Sequence, residues 1–212
     1  MSLNGFFVAA PQDDGDAVTG HHYEVASPDR GRPQVWGYTD KLSYAPGEIL
    51  ALHAMSSAAV IRLEVLRDGL VPEVVLARDI PGGFAPTPAD CSVKGCDWPE
   101  RLRLVIPGDW RSGVYILRLT VPGHQSEHMF VLKAAAPTGL VMILATGTWC
   151  AYNDWGGSNH CQGLCVPHGV EFSPEVSIHR PWAKGFTRWP TAAPCIPHAS
   201  PLLSKPRYPH MD

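Results

Sequence analysis

The sequence predicts a mainly β protein, with an antiparallel β-sandwich followed by an incomplete α/β segment. Short stretches between residues 49 and 133 alternate apolar and polar side chains, as strands with one buried face do. The chain contains 20 Gly and 21 Pro, many of which separate these stretches as turns. After a linker at residues 134–139, the alternation is replaced by a continuous apolar run.

Composition bounds the possible partners. The 212 residues are 45% hydrophobic and 17% charged, which is enough to build a core. A net charge of −3 provides no electrostatic basis for binding nucleic acid or an anionic membrane surface. No apolar run approaches the roughly 20 residues of a membrane span, and residues 1–33 carry no recognisable secretion signal. We therefore expect a cytoplasmic protein.

The alternating stretches define a sandwich domain at residues 34–135, preceded by an arm or loose lead-in at residues 1–33. Within the stretch 60–67, Ile61, Leu63 and Val65 fall on one face, as a half-buried strand requires. We predict a long loop at residues 80–100, which is rich in Pro and Gly. The predicted strands lie at 49–55, 60–67, 74–77, 101–106, 112–119 and 128–133.

Tyr115 lies near the start of a late strand, in the pattern Gly-x-Tyr. A tyrosine there is typical of the corner in immunoglobulin-like sandwiches, where its hydroxyl bonds back to the preceding backbone. The alternative is a tyrosine that packs with its hydroxyl at the surface. The first interpretation makes the predicted sandwich immunoglobulin-like.

The run at residues 140–145 predicts a strand buried on both faces, as in a parallel sheet. Thr146, Gly147 and Thr148 would then lie at the carboxyl end of that strand, where α/β proteins form their sites. From residue 160 onward no convincing helix or second buried strand follows. We therefore read residues 136–212 as the start of an α/β domain that is not completed.

Several blocks of this chain resemble the N,N-dimethylformamidase large (beta) subunit family, and the similarity covers nearly all of residues 35–212. The most specific block is TWCAYNDWGGSNH at residues 148–160, and VSIHRPWAKGF at residues 176–186 resembles the block after it. Weaker upstream blocks resemble the family's immunoglobulin-like domain; they lie at residues 37–40, 44–48, 96–99 and 109–115.

This resemblance implies an amidohydrolase-like protein whose C-terminal domain is glutamine-amidotransferase-like. It also implies a mononuclear iron, held in dimethylformamidase by two tyrosines and a glutamate, which activates water against a small amide. Tyr152 carries over as a candidate ligand, because a phenolate is a hard donor that suits ferric iron. Where the family has an aromatic residue after Asn159 and His160, this chain has Cys161.

Other chemistry remains open around the same block. Asn153, Asp154 and His160 are candidate catalytic residues beside Tyr152, although Asn153 and Asp154 can equally cap a helix that starts at the following glycines. Alternatively, Tyr152 and its neighbouring tryptophans form only a packing cluster. A zinc site is the alternative metal centre, because its spacing is close to known ligand spacing; its ligands would be His160, Cys161, Cys165 and His168.

The remaining cysteines and Arg180 have two interpretations each. Cys150 is a candidate nucleophile with His160 or His168 as its base, or an ordinary free thiol. Cys91 and Cys96 form a disulfide in an oxidising compartment and stay reduced in the cytoplasm. Arg180 either places a cation near the substrate or pairs with a carboxylate to hold a loop.

Two function classes follow from these observations. The first is hydrolysis of a small amide by metal-activated water. The second is a non-catalytic sandwich module that binds a partner or orients domains, in a homo-oligomer or with a partner subunit. Loss of turnover in Tyr152→Phe would support the first, and independent folding of residues 34–135 with retained partner binding would support the second.

Overall fold

The structure is a computed structural model that describes residues 24–136, 139–157, 159–160, 164–166, 169–171 and 173–183. Of residues 164–166 and 169–171 it describes the backbone alone. The strands are β1 (Val35–Thr39), β2 (Ser43–Tyr44), β3 (Ile49–Ser56), β4 (Val60–Arg67), β5 (Glu73–Pro81), β6 (Glu100–Val105), β7 (Gly113–Val121), β8 (His124–Leu132), β9 (Leu164–Val166) and β10 (Gly169–Glu171). The helices are α1 (Cys91–Lys94) and α2 (Thr146–Tyr152).

The strands form two sheets that pack face to face, and a separate hairpin. One sheet has the order β1-β3-β6, and the other has the order β2-β8-β7-β4-β5. Neighbours are antiparallel except for the short pairing of β2 with β8, which is parallel. The hairpin is β9-β10. The predicted mainly β, antiparallel fold is confirmed.

The core between the sheets follows directly from the alternation. Ile61, Leu63 and Val65 of β4 are fully buried, and they meet Leu50 and Leu52 of β3 across the interior. Each strand presents every second side chain to this layer because successive side chains point to opposite faces. The bounds of the predicted strands 60–67 and 101–106 agree with those of β4 and β6 to within one residue.

The environment of Tyr115 decides between a corner tyrosine bonded to the backbone and a tyrosine with its hydroxyl at the surface. Its ring is fully buried against Phe130, with centroids 5.3 Å apart. Its hydroxyl donates a 2.6 Å hydrogen bond to the Arg111 carbonyl four residues upstream. The residue therefore closes a corner at the start of β7 instead of leaving its hydroxyl at the surface.

The predicted strand at residues 140–145 is wrong. No strand forms there, and Leu140 and Ile143 are 85% and 90% exposed. The helix α2 begins at Thr146, where a strand end was expected. A doubly buried strand needs a neighbour on each edge and cover on each face, and the described part of the chain supplies neither at this run.

Two loop predictions need smaller corrections. The long loop at residues 80–100 contains the single-turn helix α1. Residues 24–33, predicted as part of a loose lead-in, pack on the sandwich instead. Glu24 and Ala26 are buried, and the amide of Gln34 bonds to the backbone of Ser27 in both directions, at 2.8 and 2.9 Å. A tertiary contact orders this segment, which has no hydrophobic period of its own. Residues 1–23 lie outside the described part of the chain.

Within the described residues, no helix is both long and apolar enough to cross a membrane.

Candidate functional site

The most specific sequence block folds against one end of the sandwich, and we call this region the junction: residues 149–157, 159–160 and 173–183 together with the surface they cover. Trp155 anchors it. This side chain is fully buried and makes edge contacts with Trp36 and Trp98, each with ring centroids 5.6 Å apart. Aromatic contacts of this kind combine a large buried area with a preferred geometry. They fix the block to β1 and to the loop before β6.

Arg180 binds the backbone of the block from behind. Its guanidinium donates to the carbonyl oxygens of Trp155 at 2.6 Å, Asn153 at 2.8 Å and Ser177 at 3.1 Å. The side chain is only 2% exposed, and burial lowers the pKa of Arg180. Carbonyl oxygens and the nearby Asp154 offset the cost of this buried cation. Of the two interpretations of Arg180, the described contacts favour loop holding, through carbonyls rather than a single carboxylate.

Asn153 joins the two halves of the junction. Its amide nitrogen donates to the Pro181 carbonyl at 2.9 Å. Its amide oxygen accepts from the Ala183 and Trp155 backbone N–H groups at 3.1 and 3.3 Å. All of these partners are backbone groups, and Asn153 is 3% exposed. The side chain of this candidate catalytic residue is therefore engaged in positioning.

No helix begins at the glycines after Asp154, so the capping interpretation of Asn153 and Asp154 is wrong. Instead the chain turns at Gly156, whose φ of 79° favours glycine. A Cβ at this position would lie 2.5 Å from the Cys91 sulfur. Residue 156 must therefore lack a side chain for α1 to pack closely against the block. Asp154 is buried, at 8% exposure.

Tyr152 and His160 lie on the outer side of the junction. Tyr152 ends α2 and is 38% exposed, and its carbonyl accepts a 2.7 Å bond from the Asn159 amide. His160 is exposed, and its Nδ1 lies 2.7 Å from the Ser173 carbonyl. Nδ1 must donate to that oxygen, so in the neutral ring Nε2 carries the lone pair. Among the four sequence candidates, these two are exposed, whereas Asn153 and Asp154 are buried.

The described residues do not complete a metal site. Nowhere in the described ranges do three or more His, Cys, Asp or Glu side chains come together so as to hold a metal ion. Tyr152 alone is one ligand of the several that iron requires. The zinc alternative lies largely outside the described residues, because Cys161 and His168 are not described and Cys165 is described only in its backbone.

Cys150 is half-buried on α2, and burial raises the pKa of its thiol, with Arg180 acting in the opposite direction. A catalytic thiol needs its thiolate stabilised, so this environment does not favour the nucleophile interpretation.

A cavity of about 490 Å³ opens beside the junction, a volume within the range of small-molecule sites. Three carboxylates, one ammonium group, two imidazoles and a phenol ring contribute to its wall. The lining residues are Tyr38, Asp40, His53, Pro88, Asp90, Lys94, Gly95, Asp97 and His179.

The rings in this cavity are ordered by the sandwich. Tyr38 and His53 are register partners on β1 and β3, and their rings stack 5.3 Å apart. The ring of His179, from the junction, stacks on Tyr38 at 6.1 Å. His53 Nδ1 lies 2.8 Å from the Trp98 carbonyl, so Nε2 is the acceptor in the neutral ring.

The sequence did not predict this cavity. One signal was present: His53 is an imidazole within the apolar stretch of β3. The other lining groups come from loops that are distant in sequence, and no local pattern relates them.

The sequence profile of the family described as N,N-dimethylformamidase beta subunit-like, C-terminal, matches residues 72–196. The chain belongs to this family. The match begins in the turn before β5 and continues through the junction, so the family signature covers half of the sandwich as well as the block around Tyr152. A search among curated proteins found no match.

Proposed function

We propose that this protein contributes to the hydrolysis of a small amide with metal-assisted activation of water. Family membership over residues 72–196 carries the proposal. The metal would be iron, with Tyr152 as one ligand. The other ligands would come from groups beyond the described residues, and the described residues would contribute by positioning Tyr152.

The junction supports the proposal by presenting Tyr152 and His160 on a rigid frame. Arg180 and Asn153 together make six hydrogen bonds to backbone groups within the block and the segment behind it. A catalytic group gains from a frame of this kind, because small displacements of reacting atoms cost rate. His160 is exposed, and with Nδ1 bound to the Ser173 carbonyl its Nε2 carries the lone pair that would accept a proton from water.

A small amide would also find polar partners in the cavity beside the junction, although neither Tyr152 nor His160 lines it. Its volume exceeds what a small amide needs. His53 Nε2 and the carboxylates accept hydrogen bonds, so an amide N–H or the ammonium form of a released amine would find partners there.

The test is amide turnover by the full-length protein after incubation with iron, with N,N-dimethylformamide as the first substrate and amine release as the readout. Tyr152→Phe removes one hydroxyl and should abolish turnover and lower bound iron per chain. Thr120→Val removes a hydroxyl on β7 and should change neither. Unchanged turnover in Tyr152→Phe would overturn the role of Tyr152, and wild-type inactivity with several small amides would overturn the activity.

A second candidate function is a non-catalytic, immunoglobulin-like module that orients partner domains or subunits. The exposed apolar run favours it: Leu140, Val141, Met142 and Ile143 are 78–90% exposed, as expected of a segment that a partner covers. The corner at Tyr115 and the change of sheet between β1 and β2 support the immunoglobulin-like description.

Sedimentation of the full-length chain tests this candidate. If a second copy covers the run, Ile143→Lys should shift an oligomer to monomer. Leu70→Lys is the matched control, because Leu70 is a fully exposed apolar residue in the turn between β4 and β5. A monomeric wild type would contradict the homo-oligomer. Co-purification would then test whether a different partner subunit covers the run.

A further inference from the structure

Two thiols lie next to each other beneath the cavity, and the proposed hydrolysis uses neither. Cys91 begins α1, and Cys96 follows it by five residues. Each side chain is 1% exposed, and both belong to the same buried cluster, where each thiol affects the pKa of the other. Both are free thiols. A buried pair of this kind is unusual because it places two oxidisable groups in contact.

The backbone holds the two sulfur atoms together. Gly95 N–H donates to the Cys91 carbonyl at 3.0 Å, and Cys96 N–H donates to the His179 carbonyl at 2.9 Å. Gly95 turns the chain between them with a φ of 95°, which favours glycine. The Cys91 sulfur also lies 3.6 Å from the Gly156 carbonyl. These contacts hold both residues in one buried cluster, five positions apart on either side of the Gly95 turn.

The surroundings assign different roles to the two sulfurs. The hydrogen bond from Cys96 lowers the pKa of the Cys91 thiol, and the buried Arg180 guanidinium acts in the same direction. Burial raises the pKa of Cys96. Of the two sulfurs, Cys91 is therefore the one with the lowered pKa, and we take it as the attacking sulfur.

We propose that Cys91 and Cys96 form an oxidation site, at which a small peroxide converts the dithiol into a disulfide. The Cys91 thiolate attacks one peroxide oxygen, the O–O bond breaks, and the leaving hydroxide takes up the thiol proton as water. The Cys96 sulfur then attacks the Cys91 sulfenic acid, the S–O bond breaks, and a second water leaves with the Cys96 proton. Two thiols and one peroxide give one disulfide and two waters.

The disulfide would act on the cavity. Asp90, Lys94, Gly95 and Asp97 all line it, and they belong to the short segment that the bond would close. Because both thiols are 1% exposed, peroxide would reach them through local opening of this segment, whose helix α1 is a single turn of four residues. Oxidation therefore fixes one wall of the cavity in place.

The experiment is peroxide treatment of the folded full-length protein, alkylation of remaining thiols and tryptic digestion without reduction. Trypsin cleaves after Arg78, Lys94 and Arg101, so Cys91 and Cys96 fall on separate peptides, 79–94 and 95–101. We expect these two peptides to appear joined, roughly 2 Da below the sum of their masses, and to separate on reduction. Alkylation of both cysteines after peroxide treatment would overturn the proposal.

Three variants test the roles. Cys150→Ser should still yield the joined peptides, because Cys150 takes no part. Cys96→Ser should accumulate a sulfenic acid on Cys91 that dimedone traps, whereas Cys91→Ser should leave Cys96 unmodified. A disulfide between Cys91 and Cys150 in the wild type would contradict the pairing. Trapping on Cys96 in Cys91→Ser would contradict the assignment of the attacking sulfur.

Discussion

The sandwich and the junction are held together by different means. The sandwich core consists of apolar side chains from alternating positions on two sheets, and its strands pair through the backbone. The junction has little regular structure, and its backbone is held by side chains, chiefly those of Arg180, Asn153 and Trp155. Stability is therefore distributed over many residues in one region and concentrated on three in the other.

Trp155→Ala should produce the largest loss. The side chain is fully buried between Trp36 and Trp98, so its removal leaves a cavity and exposes two further rings. We expect a loss of about 4 kcal/mol in the free energy of unfolding, measured by urea denaturation. Trp110→Ala is the control from the sandwich, where Trp110 is only partly buried against Tyr115. Equal losses in the two variants would remove the contrast between the regions.

Arg180→Met should cost about 3 kcal/mol, because three carbonyl oxygens lose their donor in a buried setting. The matched control is Arg118→Met on the sandwich. Arg118 pairs with Glu64 at 3.4 Å and Glu127 at 3.1 Å near the surface. Surface pairs of this kind contribute about 1 kcal/mol or less. Urea unfolding of both variants measures the difference, and a larger loss for Arg118→Met would contradict the comparison.

Acid should weaken the contact between the two regions through His128. This ring on β8 is 1% exposed and stacks on Trp182 of the junction, with centroids 6.1 Å apart. Its Nε2 accepts from the Thr39 N–H at 3.3 Å, and burial lowers the pKa of His128 from 6.5 to about 3. The unfolded chain therefore binds the proton more readily than the folded chain between those two pH values.

Stability from His128 is complete above pH 6.5 and is lost as the pH falls toward the folded-state pKa of about 3. By pH 5 the loss is about 2 kcal/mol. Urea unfolding at pH 7 and pH 5 measures it, and the His128→Gln variant should lose correspondingly less over the same interval. An identical decrease in wild type and variant would show that other groups cause the acid sensitivity.

Tyr115→Phe should produce the smallest effect, about 1 kcal/mol, because it removes one hydrogen bond to the Arg111 carbonyl. The ring remains packed on Phe130, so the fold of the sandwich is retained. Thr120→Val, which removes a long 3.5 Å contact with Gln125, should fall below this value. Thermal unfolding of the two variants gives the ranking.

Much of the sandwich could be predicted from local pattern. The stretch containing Ile61, Leu63 and Val65 specified both a strand and its buried face. Side chains alternate between the two faces of a strand, so only one orientation buries all three apolar residues. The strand β1 was not predicted, since both of its faces are covered and its residues do not alternate in burial. The hairpin β9-β10 was missed because each strand has only three residues.

The candidate site was harder to predict. The sequence pointed to Tyr152 and its block through a resemblance, and it placed Asn153 among the catalytic candidates. The tertiary structure shows that the Asn153 amide bonds to backbone groups roughly 30 residues away. It also brings Tyr38, His53 and His179 to one cavity wall, although they come from distant parts of the chain.

The sequence by itself determined the strands β3 to β8 and the family, because these depend on side-chain order along the chain. Tertiary structure decided where the irregular segments lie, which residues Arg180 holds, and that Cys91 and Cys96 share one buried cluster. It also decided that residues 140–143 stay exposed despite their apolar character. The pattern of apolar residues in the sequence predicts which side chains should be buried. Burial itself requires a second surface that covers those side chains.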